Sequence, residues 1–337
     1  MSLPRSRIFP LFIPHAGCPH SCVFCDQRRI SGQAVPVTGA EVAEKLSSLA
    51  GEGYELAYYG GSFTALPEGQ QLDLLEAAQP FLASGRLSDL RVSTRPDAID
   101  GAALERLARY GVRTVELGAQ SMDDGVLRRS GRGHTAADTE RAAALVKQAG
   151  FRLILQMMTG LPGAAPDSDL ETARRLIALK PDGVRIYPTV ILRDTPLYEL
   201  WQAGRYEEHT VEAAVTLCAE LLPLFEAAGI PVIRLGLNPS EELSAGGAAG
   251  GAYHPAFGEL VKSRVWLERA RRLLHGAQPG EDLVLGICKN DVSQLIGQGR
   301  SNLLALESEF RPRSLRVVGM DLPRGELRLI ERNKEHA

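Results

Sequence analysis

The sequence predicts an α/β protein: a partial, parallel (β/α)6-type TIM-like barrel followed by a small C-terminal α/β unit. Three observations predict it. Short apolar runs alternate with amphipathic helical patterns over the first two-thirds of the chain, and such alternation argues for a parallel sheet. The segments with unusual side chains fall directly after those runs, where an α/β barrel gathers its active-site loops. The length of 337 residues accommodates one large α/β domain with an appendage and exceeds a typical single β-sandwich.

The strands expected in order are Ile8–Ile13, Leu56–Tyr59, Leu90–Thr94, Thr114–Leu117, Leu153–Met157 and Val184–Tyr187, with Val232–Leu235 as a seventh. Thr38 with Glu41, and Ser168 with Glu171, have the spacing of a capping box at a helix start. From Val211, apolar residues recur at Ala214, Val215, Cys218, Leu221, Leu222 and Phe225, the stripe of a helix packed on a sheet. The barrel is expected over residues 1–238. Residues 239–258, rich in Gly and Ala without strong periodicity, read as a linker or loop. The small unit then covers residues 259–337. It contains a basic amphipathic helix near Glu259–Leu274, a strand near Leu283–Cys288, a helix over Asp291–Glu309, and strands near Leu315–Val318 and Glu326–Ile330.

Composition narrows the function. Hydrophobic residues make up 44%, ordinary for a globular protein with a sizeable core. A net charge of −3 gives no global basic signature of a nucleic-acid binder, although a local patch would suffice. No apolar run approaches the roughly 20 residues of a membrane helix, and Pro10 and Pro14 break the apolar N-terminal run, so no signal peptide is read. Five cysteines, three of them crowded into eight positions, make a poor disulfide framework. They suit a metal site in a reducing cytoplasm.

The cysteine loop HAGCPHSCVFCDQ follows the first expected strand, and GGSF (Gly60–Phe63) the second. TRPD (Thr94–Asp97), GAQS (Gly118–Ser121), TGLPG (Thr159–Gly163) and YPT (Tyr187–Thr189) follow the next four. Gly and Pro merely punctuating a βα loop account for TGLPG and in part for GGSF. Six such segments on one face still mark a site more strongly than any one alone.

Cys18, Cys22 and Cys25 have the spacing C-x3-C-x2-C. Three thiolates on a short loop can hold three corners of a [4Fe–4S] cubane. No fourth cysteine is nearby, and Cys218 belongs to the apolar stripe of a helix. One iron is therefore left for an outside ligand, and the amino and carboxylate groups of S-adenosylmethionine (SAM) can chelate such an iron. The alternative is a non-catalytic metal module, either Fe–S or a tetrahedral zinc site with His15 or His20 as fourth ligand. Phe24, just before Cys25, either packs on the adenine of SAM or simply lies under the loop.

With its aromatic residue before the last cysteine, this loop resembles the signature of the radical SAM superfamily. Within it, the chain resembles the catalytic subunit of Elongator from about Arg91 to Gly204, through STRPD, VELGAQSMDD, RGHT (Arg132–Thr135), AGFRLILQMMTGLPG and PDGVRIYPTVILRDTPLYELWQAG. A looser similarity is to oxygen-independent coproporphyrinogen oxidase-like proteins. The resemblance implies a [4Fe–4S] cluster on Cys18, Cys22 and Cys25. It implies that Gly60, Gly61 and Ser62 line the methionine end of SAM, and that Ser93, Glu116 and Gln120 lie inside the barrel near SAM or substrate. It further implies an electron donor such as flavodoxin or ferredoxin, a cytoplasmic setting, and a nucleic-acid base, in tRNA, as substrate class. The chain departs from the Elongator pattern at Ser93, where that family has Glu, at Gln156 for His, at Thr159-Gly160 for Pro-Asp, and at Asp26 to Arg29 for Pro-Gly-Gly-Pro. No room for an acetyltransferase domain is read after the barrel, so the substrate expectation rests on resemblance alone. The residue that handles the substrate radical is not identified.

Arg128, Arg129, Arg132 and His134 form a basic cluster after the fourth strand, read as a phosphate or carboxylate site that Arg28 and Arg29 extend, or else as a solvated helix terminus. Arg269, Arg271 and Arg272 read as the wet face of a helix. Tyr253 and His254 lie in the Gly-rich stretch, where a long loop can act as a lid. Cys288 ends an apolar run and reads as core.

Overall fold

The computed structural model describes residues 7–13, 17–26, 37–238 and 243–333. In chain order its first part contains β1 (Arg7–Phe12), α1 (Gly39–Ser47), β2 (Tyr54–Tyr59), α2 (Glu68–Ala83), β3 (Leu87–Thr94), α3 (Gly101–Arg109), β4 (Val112–Gln120), α4 (Asp124–Arg129), α5 (Ala136–Gln148), β5 (Arg152–Thr159), α6 (Pro166–Ala178), β6 (Gly183–Pro188), β7 (Val190–Leu192), α7 (Pro196–Gln202), α8 (Val211–Ala227), β8 (Val232–Leu235) and β9 (Ala248–Gly251). Seven strands form one sheet in the order β1-β2-β3-β4-β5-β6-β8. All six neighbouring pairs are parallel, and the sheet curls into a half-barrel. The seventh expected strand is thus a full member.

Alternation along the strands makes the two faces of this sheet. Leu56, Tyr58, Leu90, Val92, Val115, Leu117, Leu153, Leu155, Val184 and Ile186 are fully buried, the near-continuous apolar content of a sheet covered by helices. The intervening positions carry Glu55, Arg91, Ser93, Thr114, Glu116, Gln156 and Arg185. They line the concave side.

Two details differ from the sequence reading. Thr38 and Glu41 do form the capping box of α1. Ser168, however, is not a cap: Pro166 opens α6, and the Ser168 hydroxyl accepts from the Ala165 amide one turn back. A second box of this kind, Thr135 with Asp138, starts α5. Within the stretch read as linker, Ala248–Gly251 pairs antiparallel with β7, and Tyr253 packs against Val190, Leu192 and Leu243.

A second compact unit comprises Val215–Pro223 of α8 and the chain from Ala256 onward. It contains α9 (Phe257–Leu273), β10 (Asp282–Cys288), α10 (Val292–Ile296), α11 (Ser301–Phe310), β11 (Ser314–Met320) and β12 (Leu327–Asn333). Its sheet runs β11-β10-β12, with β10 parallel to β11 and antiparallel to β12. Trp266, Leu267, Leu283, Leu285, Ile287 and Leu306 form its core. The single helix expected over Asp291–Glu309 is divided, because Gly297, Gly299 and Arg300 all adopt positive φ. Cys218 and Cys288 are both buried, as their apolar settings suggested.

Candidate active site

A cavity of about 620 Å³ opens at the C-terminal ends of the strands, well inside the size range of small-molecule sites. Cys18, Cys22 and Cys25 share its wall with Phe24, Gly60, Gly61, Ser93, Glu116 and Gln120. Ser62 is the exception among the expected residues. It is 1% exposed, its hydroxyl lies 3.0 Å from that of Thr94, and it accepts from the Arg95 amide. It therefore ties the GGSF turn to the end of β3. His15, Arg28 and Arg29 lie outside the described residues.

The cysteine loop is clasped by backbone. The Cys25 amide donates to the Cys22 carbonyl, that of Val23 to the Ser130 carbonyl, and that of Leu197 to the Val23 carbonyl. Gly17 has φ +71, and a Cβ there would fall 2.3 Å from the Ser62 carbonyl oxygen, so glycine is required for the loop to seat on the GGSF turn. Gly133, at φ +75, lies directly under the His20 ring. Cys22 is buried while Cys18 is exposed. Although Cys18 reaches the surface, the protein atoms packed around its thiol desolvate it and raise its pKa; Cys22 adds to the rise, while Arg132 and Arg95 oppose it.

The basic cluster divides in two. Arg128 and Arg129 are exposed, whereas Arg132 and His134 are buried. Arg132 Nη1 donates to Cys22 Sγ at 3.3 Å and Nη2 to the Gly118 carbonyl at 2.8 Å. Arg95, paired with Asp97, donates to the Arg132 carbonyl at 2.5 Å. Arg132 Nε and Arg95 Nη1 are buried without a hydrogen-bond partner among the described residues. His134 Nε2 faces the Ala119 carbonyl at 3.1 Å. Burial first, and then Arg132, push its pKa down to about 4.

The cavity floor is an ion-pair network that the sequence reading touched only at Glu116. Arg91 bridges Glu55 at 2.8 Å and Glu116 at 2.5 Å. Arg185 binds the other Glu116 oxygen at 2.9 Å and donates to Tyr59 Oη at 2.8 Å. The Tyr59 hydroxyl donates to Glu116, and burial with that carboxylate keeps it strongly protonated. Charged residues at alternate positions of otherwise apolar strands were the available signal. Above this floor, Gln156 donates to Gln120 Oε1 at 3.1 Å. Gln120 has φ 64 at a register shift in the β4–β5 pairing, a strained conformation of the kind that gathers at functional sites.

The TGLPG turn is a scaffold. Asp169, its pKa pushed up to about 7 by burial, accepts from the Gly160 amide. Tyr206 donates to the Gly160 carbonyl, and His209 Nε2 lies 3.1 Å from Thr159 Oγ1.

A radical SAM superfamily model matches residues 12–177, and a Radical_SAM C-terminal domain model matches residues 181–266. The chain belongs to the radical SAM superfamily. It is an enzyme of that family, and the family's cofactors are a [4Fe–4S] cluster and SAM. Elongator complex protein 3 of Homo sapiens is 32% identical over 191 residues, covering 50% of this chain and 35% of that protein. The tRNA uridine(34) acetyltransferase of Dehalococcoides mccartyi is 33% identical over 145 residues, 42% of this chain and 32% of that one. The chain thus spans about a third of the length of these curated relatives. The structure of Methanocaldococcus infernus Elp3 shares the radical SAM fold with a TM-score of 0.59 at 22% identity, over 79% of this chain and 63% of that one. Escherichia coli coproporphyrinogen III oxidase shares it at 0.51 and 18% identity, over 67% of this chain and 54% of that one.

The residues present fit such a cluster in donor chemistry. Three thiols lie along one cavity wall, backed by two buried guanidinium groups with N–H left over.

Proposed function

We propose that Cys18, Cys22 and Cys25 ligate the cluster, and that the cavity binds SAM and a nucleic-acid base, in tRNA, as the substrate. The observation that carries this reading is the convergence of the three thiols, Gly60, Gly61 and Gln120 on one cavity at the barrel mouth. Held there, the cluster and SAM would supply one-electron reductive cleavage of SAM, and with it radical chemistry on the substrate.

The chain's own residues shape that chemistry. Gly60 and Gly61 bring backbone rather than side chain to the cavity wall at the methionine end of SAM. Ser62 holds their turn through Thr94 and the Arg95 amide. Gln120 and Gln156, joined side chain to side chain, offer amide donors and acceptors that orient a polar ligand. Phe24 presents its ring to the cavity while packing toward Met158 and Leu161. Glu55, Arg91, Glu116 and Arg185 close the floor with their charges mutually paired, which keeps bulk water from entering beneath the reacting groups. The electron comes from a low-potential carrier such as flavodoxin or ferredoxin, in the cytoplasm. The tRNA substrate is supported by the similarity to a tRNA uridine(34) acetyltransferase.

Anaerobically reconstituted protein given dithionite and SAM is expected to release 5′-deoxyadenosine, read by chromatography. Cys22→Ala is expected to release none. A colourless, zinc-loaded protein that leaves SAM intact would instead establish the non-catalytic metal module.

A further inference from the structure

The Arg132 guanidinium is bonded to a cysteine sulfur, that of Cys22. It is 7% exposed. Its Nη2 is fixed by the Gly118 carbonyl, so the guanidinium cannot swing away from Cys22 without also breaking that buried hydrogen bond, and Arg95 holds the backbone carbonyl of the same residue. Its Nε has no hydrogen-bond partner among the described residues. The Gly118 position explains how it fits: a Cβ there would lie 3.3 Å from Arg132 Nη2 and 2.8 Å from the Gln120 amide nitrogen, so β4 carries glycine where the guanidinium passes. Nothing in the reaction requires an arginine here as acid or base, since its proton is never released at accessible pH.

We propose that Arg132 is a positioning residue for electron transfer. Its hydrogen bond to Cys22 Sγ and its fixed positive charge stabilise the reduced state of the cluster and set how readily the one-electron donor can charge it. The inference rests on the reading that Cys22 is a cluster ligand. Three thiolates give a [4Fe–4S]2+ core a net charge of −1, and one added electron makes it −2. A buried cation against a ligand sulfur favours the more negative state, and hydrogen bonds to sulfur and net charge are among the terms that set such potentials. Low local dielectric makes that bias larger than it would be in water. Arg95, its own charge paired with Asp97, holds the Arg132 backbone from behind.

The test is a redox titration of the reconstituted holoprotein without SAM, followed by the electron paramagnetic resonance signal of the reduced cluster, with iron and sulfide measured in parallel. Arg132→Met is expected to lower the ratio of reduced to oxidised cluster at a fixed potential about tenfold, a 59 mV shift for one electron. Arg132→Lys is expected to restore most of it by keeping the charge. Arg141→Met, an exposed position on α5, is expected to change nothing. Full iron content with an unshifted potential in Arg132→Met overturns the proposal. So does failure of both Arg132 variants to load iron while keeping wild-type far-ultraviolet circular dichroism, since Arg132 would then serve only to assemble the loop. If instead Cys22→Ala carries the same cluster as wild type, the ligand assignment itself fails.

Discussion

His134 shows how one side chain reports the state of the site. It sits two residues after Arg132, 4% exposed, with Nδ1 buried and without a hydrogen-bond partner among the described residues. Burial and the neighbouring guanidinium depress its pKa to about 4, against about 6.5 for an exposed histidine. Between those values the unfolded chain binds the extra proton and the folded chain does not, so stability falls as pH falls from 6.5 toward 4. His209, also depressed to about 4 by burial, acts in the same direction. Asp169, raised to about 7, acts in the opposite one, because its protonated form suits the fold. A variant separates them. His134→Gln, which keeps an amide donor for the Ala119 carbonyl, is expected to remove up to about 3 kcal/mol of the stability lost between pH 6.5 and 4. Urea midpoints at both pH values, compared with wild type, measure this, and parallel pH profiles would contradict it. Sequence could flag His134 and Arg132 as part of a basic cluster. It could not separate them from Arg128 and Arg129, because only the turn after α4 decides which of the four face inward.

The element that makes this division is the turn between α4 and α5. Asp123 caps α4 through the Gly125 and Val126 amides, and the Thr135–Asp138 box opens α5, so the residues between are fixed at both ends. Gly131 and Gly133 both adopt positive φ. They let the turn press against the cysteine loop, where a Cβ on Gly133 would lie 2.3 Å from the His20 ring. Gly133→Ala is therefore expected to keep the fold but loosen the loop. A left-handed alanine costs roughly 1–2 kcal/mol, and the overlap displaces His20. Reconstituted iron per chain is expected to fall at unchanged circular dichroism, and iron content equal to wild type would count against the clasp. Elements of this kind were unevenly legible. The strands were placed to within a few residues, since apolar β-branched runs bounded by Gly and Pro leave little freedom, and Val232–Leu235 coincides with the observed strand. The helix over Asp291–Glu309 was overextended: its apolar period continues through Gly297 and Gly299, but the backbone does not. The concave network of Glu55, Arg91 and Arg185 is not legible in the sequence, because each charge taken alone looks like a solvated strand residue. Only cross-strand register shows them meeting.

At the scale of the whole molecule, electrostatics constrains the substrate. The net charge of −3 gives no long-range attraction for a polyanion, and the charges on the cavity floor are mutually paired. If tRNA is the substrate, its affinity must come from a local basic patch beside the cavity. Arg128 and Arg129 suit that role. They are exposed at the end of α4, and the next residue, Ser130, carries the carbonyl that binds the cysteine loop through Val23. Phosphate contacts release counterions, so each contact to a single-stranded segment contributes about 0.7 to the slope of log affinity against log salt. Fluorescence anisotropy of labelled tRNA at a series of KCl concentrations is expected to show affinity falling as salt rises. The double substitution Arg128→Gln with Arg129→Gln is expected to reduce that slope by about 1.4. An unchanged slope would move the patch elsewhere on the surface. No measurable affinity at low salt would remove tRNA as the substrate, while leaving the thiols and the SAM cavity in place for a small molecule.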